Sequence, residues 1–270
     1  MSGPDLASLD DLDRRIRDRL VQDPRVRCAL TYGSRPQGLG DRYSDLEYYA
    51  WYAPGDAFDA RRWVEAITPL LHFVVNPFGT PNAITPELHR IELHVEPLER
   101  MAAVQTWPNR RTRPDAMLIK DRGGQLRAAL EQLAAQPVFT PDPPQQVLDQ
   151  TLNWLAFSSA VLQRGERWRA LELMTWVHGG LLRLSRMAEH AEQPLAVTRQ
   201  AELQLSPARL ERLARCTSGL DGLEQAWLAA LHICRDLAAE LQLDAHPELL
   251  TRLDAQLGAW LRLRTPPDRG

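Results

Sequence analysis

Four prolines crowd into the eight residues from Pro137 to Pro144, and the chain reads differently on either side of them. Proline removes a backbone donor and fixes φ, so neither a helix nor a central strand runs through such a segment. Upstream, short apolar runs alternate with Gly and Pro punctuation. Downstream, apolar residues recur at three- and four-residue steps, as in the stripe Leu171, Met174, Val177, Leu181 and Leu184. The pattern predicts two domains, 1–138 and 139–270: an α+β unit with a mixed sheet flanked by helices, then an all-α helical bundle. With 270 residues, the chain buries enough surface to fold without disulfides or a structural metal.

In the first half, Leu9, Leu12, Ile16 and Leu20 mark a helix over Leu6–Gln22. Strands are expected at Arg27–Tyr32, Asp45–Tyr52, Leu71–Asn76 and Arg90–Val95, with helices at Phe58–Leu70 and Gly124–Gln136. The second half predicts helices at Gln145–Arg164, Trp168–Ala191, Ser206–Cys216 continuing in Asp221–Leu241, and Pro247–Arg264.

Composition removes several classes of function. A formal charge of −3 argues against a nucleic-acid partner, which demands a clustered basic face. No stretch approaches the apolar length of a membrane span, and Met1–Leu20 lacks a signal core. Cys28, Cys216 and Cys234 are three widely spaced cysteines without a CxxC pair, the usage of a reducing compartment, so the expected location is cytoplasmic. Lys120 is the only lysine among 32 basic residues.

The chemistry concentrates between Thr31 and Tyr48. A strand runs into Gly33-Ser34, ten residues intervene, and Asp45-Leu46-Glu47 opens the next strand. Residues i and i+2 of a strand share a face, so Asp45 and Glu47 point the same way. Two carboxylates on one face repel unless a cation sits between them, and Mg²⁺ favours carboxylate oxygens together with substrate phosphates. Gly33 lets backbone approach a phosphate closely, and Ser34 offers a hydroxyl and, if a helix begins there, N–H groups aimed at an anion.

This combination resembles the nucleotidyltransferase superfamily related to DNA polymerase β, whose motif is Gly-Ser followed by Asp-x-Asp/Glu. Tyr32-Gly33-Ser34, Gly38, Gly40-Asp41, Tyr43-Ser44-Asp45, Glu47 and Tyr49 narrow it to the two-domain lincosamide nucleotidyltransferases. Further stretches are similar to that family, among them Ala116–Ile119, Arg164-Gly165-Glu166 and Arg186-Met187-Ala188-Glu189. The resemblance implies a polymerase β-like catalytic domain, ATP as co-substrate with Mg²⁺, a lincosamide as hydroxyl acceptor, and a homodimer.

In Arg90–Val95, Ile91, Leu93 and Val95 form one apolar face and leave Glu92 and His94 on the other. A hydroxyl attacks phosphorus poorly unless something accepts its proton, and the resemblance places that general base at Glu92. His94 pairs with Glu92, touches substrate, or is simply hydrogen-bonded; the sequence leaves this open. A zinc site from His89, Glu92 and His94 is rejected, because that spacing splits the ligands between two faces. Arg35, Arg42, Arg110, Arg111, Arg113, Arg164, Arg169 and Lys120 are the candidates to answer phosphate charge. Arg42 in the loop and Arg164, where the family carries arginine, are the ones selected, with Gly33 and Ser34, for nucleotide binding.

The expected activity is transfer of a nucleoside monophosphate, AMP from ATP, onto a lincosamide hydroxyl, with inactivation of the drug. Asp45 and Glu47 hold Mg²⁺ and Glu92 serves as base. The rival readings are the same chemistry on an aminoglycoside or an unrelated metabolite, and a non-enzymatic, antitoxin-like partner protein.

Overall fold

The structure, a computed structural model, describes residues 6–53, 58–138, 140, 142–194 and 196–264. The chain divides into two compact units, Met1–Phe139 and Thr140–Gly270.

The first unit is built on six strands: β1 (Val26–Thr31), β2 (Leu46–Tyr52), β3 (His72–Val75), β4 (Pro81–Ile84), β5 (Arg90–Pro97) and β6 (Leu118–Asp121). They lie in the order β3-β4-β5-β2-β1-β6, with β2 and β5 parallel and the other neighbours antiparallel. Alternation along β2 and β5 decides what each face does. Leu46, Tyr48, Ala50, Ile91 and Leu93 point to a core closed by Leu9, Leu12, Ile16 and Leu20 of α1 (Leu6–Gln22), with Trp63 and Val64 of α2 (Ala60–Glu65). On the opposite face, Cys28, Leu30 and Trp51 pack under Met101 and Val104 of a 3₁₀ stretch, Leu98–Thr106. Leu126, Leu130 and Leu133 of α4 (Gln125–Ala135) complete that layer. Glu47 and Glu92 lie toward the β2/β5 end of this second face.

Two strands escape the sequence pattern. β4, Pro-Asn-Ala-Ile, and β6, Leu-Ile-Lys-Asp, are four residues each and carry residues poor in strand propensity. β4 forms because β3 and β5 flank it, and β6 because β1 offers a free edge. The helix expected over Phe58–Leu70 is shorter. Asp59 caps α2 by accepting from Arg62 N–H at 3.1 Å, and α2 ends at Glu65. A short α3 (Pro114–Met117) precedes β6.

The second unit holds α5 (Pro144–Gln163), α6 (Arg167–Ala188), α7 (Ala201–Gln204), α8 (Pro207–Ala214), α9 (Leu223–Glu240) and α10 (Pro247–Arg264). Its core joins Leu148, Leu152 and Leu155 of α5 to Met174, Val177 and Leu181 of α6 and to Trp227, Leu231 and Cys234 of α9. α8 and α9 are separate helices rather than one continued, parted by Gly219 and a 3₁₀ turn at Leu220–Gly222. At Gly180 of α6, an added Cβ would stand 2.0 Å from Thr151 Oγ1, so α5 and α6 approach as closely as glycine permits. Among the described residues no helix is long and apolar enough to cross a membrane.

Candidate active site

The site begins where β1 ends. Tyr32 N–H and Thr31 Oγ1 both donate to the backbone oxygen of Glu47, at 3.1 and 3.0 Å, which ties the loop entrance to β2. Gly33 follows at φ +78°, and the Glu47 carboxylate lies directly over it: a Cβ at position 33 would sit 1.5 Å from Glu47 Oε2. The backbone N–H of Ser34 donates to that same carboxylate. Residues 34–38 form turns, closed by Gly38 N–H to Arg35 O and Leu39 N–H to Ser34 O at 3.0 Å each. No α-helix starts at Ser34, so the helix-end anion site that the sequence allowed is replaced by a turn whose Ser34 N–H already faces an acid.

Asp45 immediately precedes β2. Glu47 on β2 is the register partner of Glu92 on β5, and parallel pairing puts both side chains on one face. Arg90, which opens β5 on that face, reaches across the three strands. Its guanidinium donates to Asp45 Oδ2, to Glu92 Oε2 at 2.7 Å and to the side-chain oxygen of Asn82 on β4. Burial and then the neighbouring charges of Asp45 and Glu92 push the Glu47 carboxyl up to about 7, against the pull of Arg90 and the Ser34 N–H.

Glu92 is treated differently by its surroundings. Burial works against its ionised form, but hydrogen bonds from Tyr32, Arg90 and His94 outweigh it and hold the carboxyl below the usual range. Tyr32 Oη donates to Glu92 Oε1 at 2.7 Å, and His94 Nε2 lies 3.1 Å from the same oxygen and 2.9 Å from Tyr32 Oη. Burial keeps His94 below its ordinary value despite Glu92, so the ring is neutral near pH 7 and Nε2–H is the donor. Thr80 Oγ1 sits 3.4 Å from Nδ1, the side left to accept. Tyr49 stacks on the imidazole with centroids 4.0 Å apart, and Trp51 and Trp107 pack on Tyr49 at 5.5 and 4.8 Å. His94 is thus an oriented donor to Glu92, and burial raises the Tyr32 phenol so that it too stays protonated.

These groups suit a hard divalent cation in kind. All the donors are carboxylate oxygens, and the charge that raises Glu47 is what a cation beside Asp45 and Glu47 would relieve. Among the described residues, no group of three or more His, Cys, Asp or Glu is spaced to enclose an ion. The Arg90 guanidinium holds two of the acids instead.

The basic candidates are scattered. Arg35 pairs with Asp10 and Asp13 of α1, and Asp13 accepts from Tyr48, which belongs to the opposite face from Glu47. Arg35 and Arg113 line an open cleft of about 460 Å³ with Asp10, Asp13, Arg17 and Gly38. Arg42 is exposed and lies over the ring of Tyr43 at 4.8 Å, with no contact to the acids. Lys120 is not a surface lysine. It is buried, and its ammonium donates to Leu20 O at 3.1 Å and Asp23 O at 2.6 Å, joining α1 to β6. Arg164 is an exposed residue at the C-terminal end of α5 in the second unit, and Arg169 lies over Phe157 there.

Arg90, Tyr32 and Asn82 are the members that sequence reasoning did not assign. Arg90 precedes Glu92 by two residues, so the alternation that grouped Glu92 with His94 also contained it. Asn82 has no such signal, since β4 was not anticipated.

Residues 144–257 match the family model described as the lincosamide nucleotidyltransferase-like C-terminal domain. No curated protein matches the chain. Among solved structures, an aminoglycoside 6-adenyltransferase from Bacillus subtilis aligns with a TM-score of 0.39 and 11% identity, over 91% of this chain and 96% of that one. A nucleotidyltransferase-like protein from Exiguobacterium sibiricum 255-15 aligns with a TM-score of 0.35 and 15% identity, over 94% and 90%. The family match covers nearly the whole described helical unit.

Proposed function

We infer that this chain, whose second unit matches the lincosamide nucleotidyltransferase-like C-terminal domain, is an enzyme that transfers a nucleoside monophosphate to a hydroxyl of a small molecule. The observation that carries the reading is the register pairing of Glu47 with Glu92, with Asp45 bound to Glu92 through Arg90 and the Glu47 carboxylate seated on Gly33. The sequence resemblance points to a polymerase β-like catalytic domain, ATP as donor, a lincosamide as acceptor and a homodimer, and the cysteine usage to the cytoplasm.

Asp45 and Glu47 would hold Mg²⁺, which when bound neutralises triphosphate charge and aligns the in-line displacement. Glu92 receives the proton of the attacking hydroxyl. Its lowered pKa keeps it ionised at neutral pH, so the base is present in every molecule rather than in a fraction. Tyr32 and His94 fix the Glu92 Oε1 oxygen, leaving the carboxylate no freedom to rotate away. Gly33 admits the phosphates close to the backbone, and Ser34 contributes its N–H once Glu47 turns to its ion. Arg42, in the loop before β2, is the residue of the first unit that supplies positive charge to the triphosphate, and the resemblance alone offers Arg164.

Pyrophosphate release from ATP or GTP, measured with lincomycin, clindamycin and streptomycin as acceptors, tests this reading. Release with ATP dependent on a lincosamide is expected. Release with streptomycin alone moves the substrate to the aminoglycosides, and failure to bind any nucleoside triphosphate favours the partner-protein reading.

A further inference from the structure

Arg90 holds Asp45 and Glu92, acids from either side of the β2–β5 junction, and a third group, Asn82 on β4. Anchoring the strands does not require it. β5 is already fixed to β2 and β4 by their backbone ladders, and ion pairs as open as Arg90 with Asp45, 38% and 39% exposed, add little to stability. What the guanidinium does supply is charge, permanently, at the point where carboxylates converge.

We propose that Arg90 is a tethered counter-cation of the acidic cluster. It joins Asp45 to Glu92 while no divalent ion is bound, and it gives up Asp45 when an ion arrives with its nucleotide. The inference rests on the reading of Asp45 and Glu47 as the ion-binding pair. A guanidinium and a divalent cation a few ångström apart repel, so they compete for the Asp45 oxygens. A bare ion must displace the guanidinium without compensation. An ion delivered on a nucleoside triphosphate brings phosphate oxygens, and a guanidinium matches these in its planar fork. Arg90 keeps Glu92 and Asn82 as its tether and turns its released edge to the phosphate. The cluster therefore discriminates against free ions and in favour of the ion–triphosphate complex.

Mn²⁺ titrations of the full chain, followed by electron paramagnetic resonance with and without a non-hydrolysable ATP analogue, test this on wild type, Arg90→Met, Arg90→Lys and Asp45→Asn. Arg90→Met is expected to bind bare Mn²⁺ roughly tenfold more tightly than wild type, within the usual span of coupling between two ligands of one site. The same variant should bind the Mn²⁺–analogue complex more weakly. Arg90→Lys, whose compact ammonium cannot bridge both acids, should gain bare-ion affinity by a smaller factor and keeps the test open if Arg90→Met does not fold. Unchanged or weaker bare Mn²⁺ binding in folded Arg90 variants, alongside wild-type binding that Asp45→Asn abolishes, overturns the proposal alone. Wild type and Asp45→Asn titrating alike with the analogue present would overturn the metal-pair reading and this proposal with it.

Discussion

Both units bury charge, and they do it in opposite ways. In the second unit Arg186 is wholly buried in α6, yet its donors find carbonyl oxygens of Glu192, Val197 and Arg199 at 2.8, 3.0 and 2.6 Å, with the Gln204 side chain as a further acceptor. Nearby, Glu189 accepts from Ser206 N–H and Oγ at 2.8 Å each and so starts α8. Charge there is spent on holding a connection in place. In the first unit Asp45, Glu47 and Glu92 meet with the Arg90 guanidinium among them, and Glu47 is pushed up to about 7 by burial first and then by the charges of Asp45 and Glu92. A satisfied buried charge reads as architecture. A like-charge cluster with a displaced pKa reads as a site awaiting a partner.

The contrast breaks most readily at Asp45. Asp45→Asn removes one carboxylate from the cluster while keeping its shape, and turnover is expected to fall by about 10³-fold or more, since charge stabilisation by a metal is worth several kcal/mol. Thermal unfolding should move little, because Asp45 is partly exposed and its ion pair contributes weakly. Retention of more than a few per cent of pyrophosphate release would return Asp45 to the class of ordinary surface acids.

Glu92→Gln separates the two roles within the cluster. Loss of a general base costs about 10²–10⁴-fold in turnover, with nucleotide affinity retained. A collapse of ATP–Mg²⁺ binding measured by calorimetry would instead make Glu92 a ligand of the ion.

Much of this was legible because strand alternation is strict. The shared face of Asp45 and Glu47 and the polar face of Glu92 follow from period-two alternation, Gly33 from the room a missing Cβ leaves, and the role of Glu92 from the family resemblance; the structure pairs Glu47 with Glu92 and seats Glu47 over Gly33. Arg90 lay within the same rule but hid at a strand's first residue, where charged side chains are ordinarily solvated. The direction taken by each arginine was not legible. Arg35 turns to α1 because Asp10 and Asp13 wait there, and Lys120 folds inward because Leu20 and Asp23 offer carbonyls, pairings set by distant segments. β4 and β6 were hidden for a related reason: four residues of low propensity become strands through their neighbours alone. The Arg186–Glu189 block, part of the family resemblance, proves to be a structural clamp in this unit.

Arg186→Met tests the architectural half of the comparison. It removes the hydrogen bonds that Arg186 gives to three carbonyl oxygens, each worth about 1 kcal/mol, so a loss of roughly 3 kcal/mol in urea unfolding is expected. The KM for ATP of the folded fraction should not change. A shift in KM with stability intact would assign Arg186 to the nucleotide rather than to the connection after α6.

Glu47→Gln tests the other half through pH. The folded carboxyl titrates at about 7 against an ordinary value of 4.5, so the native chain binds this proton more tightly than the unfolded one. Stability contributed at this position is therefore present below about 4.5, falls as pH rises toward 7, and is lost above it. Glutamine carries no charge to lose. In EDTA, Glu47→Gln should match wild type at pH 4.5 and exceed it at pH 8 by about 2 kcal/mol in urea unfolding, a figure reduced from the full pKa difference for the site's partial exposure. Saturating Mn²⁺ should reverse the order at pH 8, stabilising wild type and leaving the variant unmoved, because a ligand that binds only the native state adds stability in proportion to its occupancy. A variant less stable than wild type at pH 8 in EDTA would mean that the Ser34 N–H and Arg90 already satisfy Glu47, and the first unit's charges would then be as settled as those around Arg186.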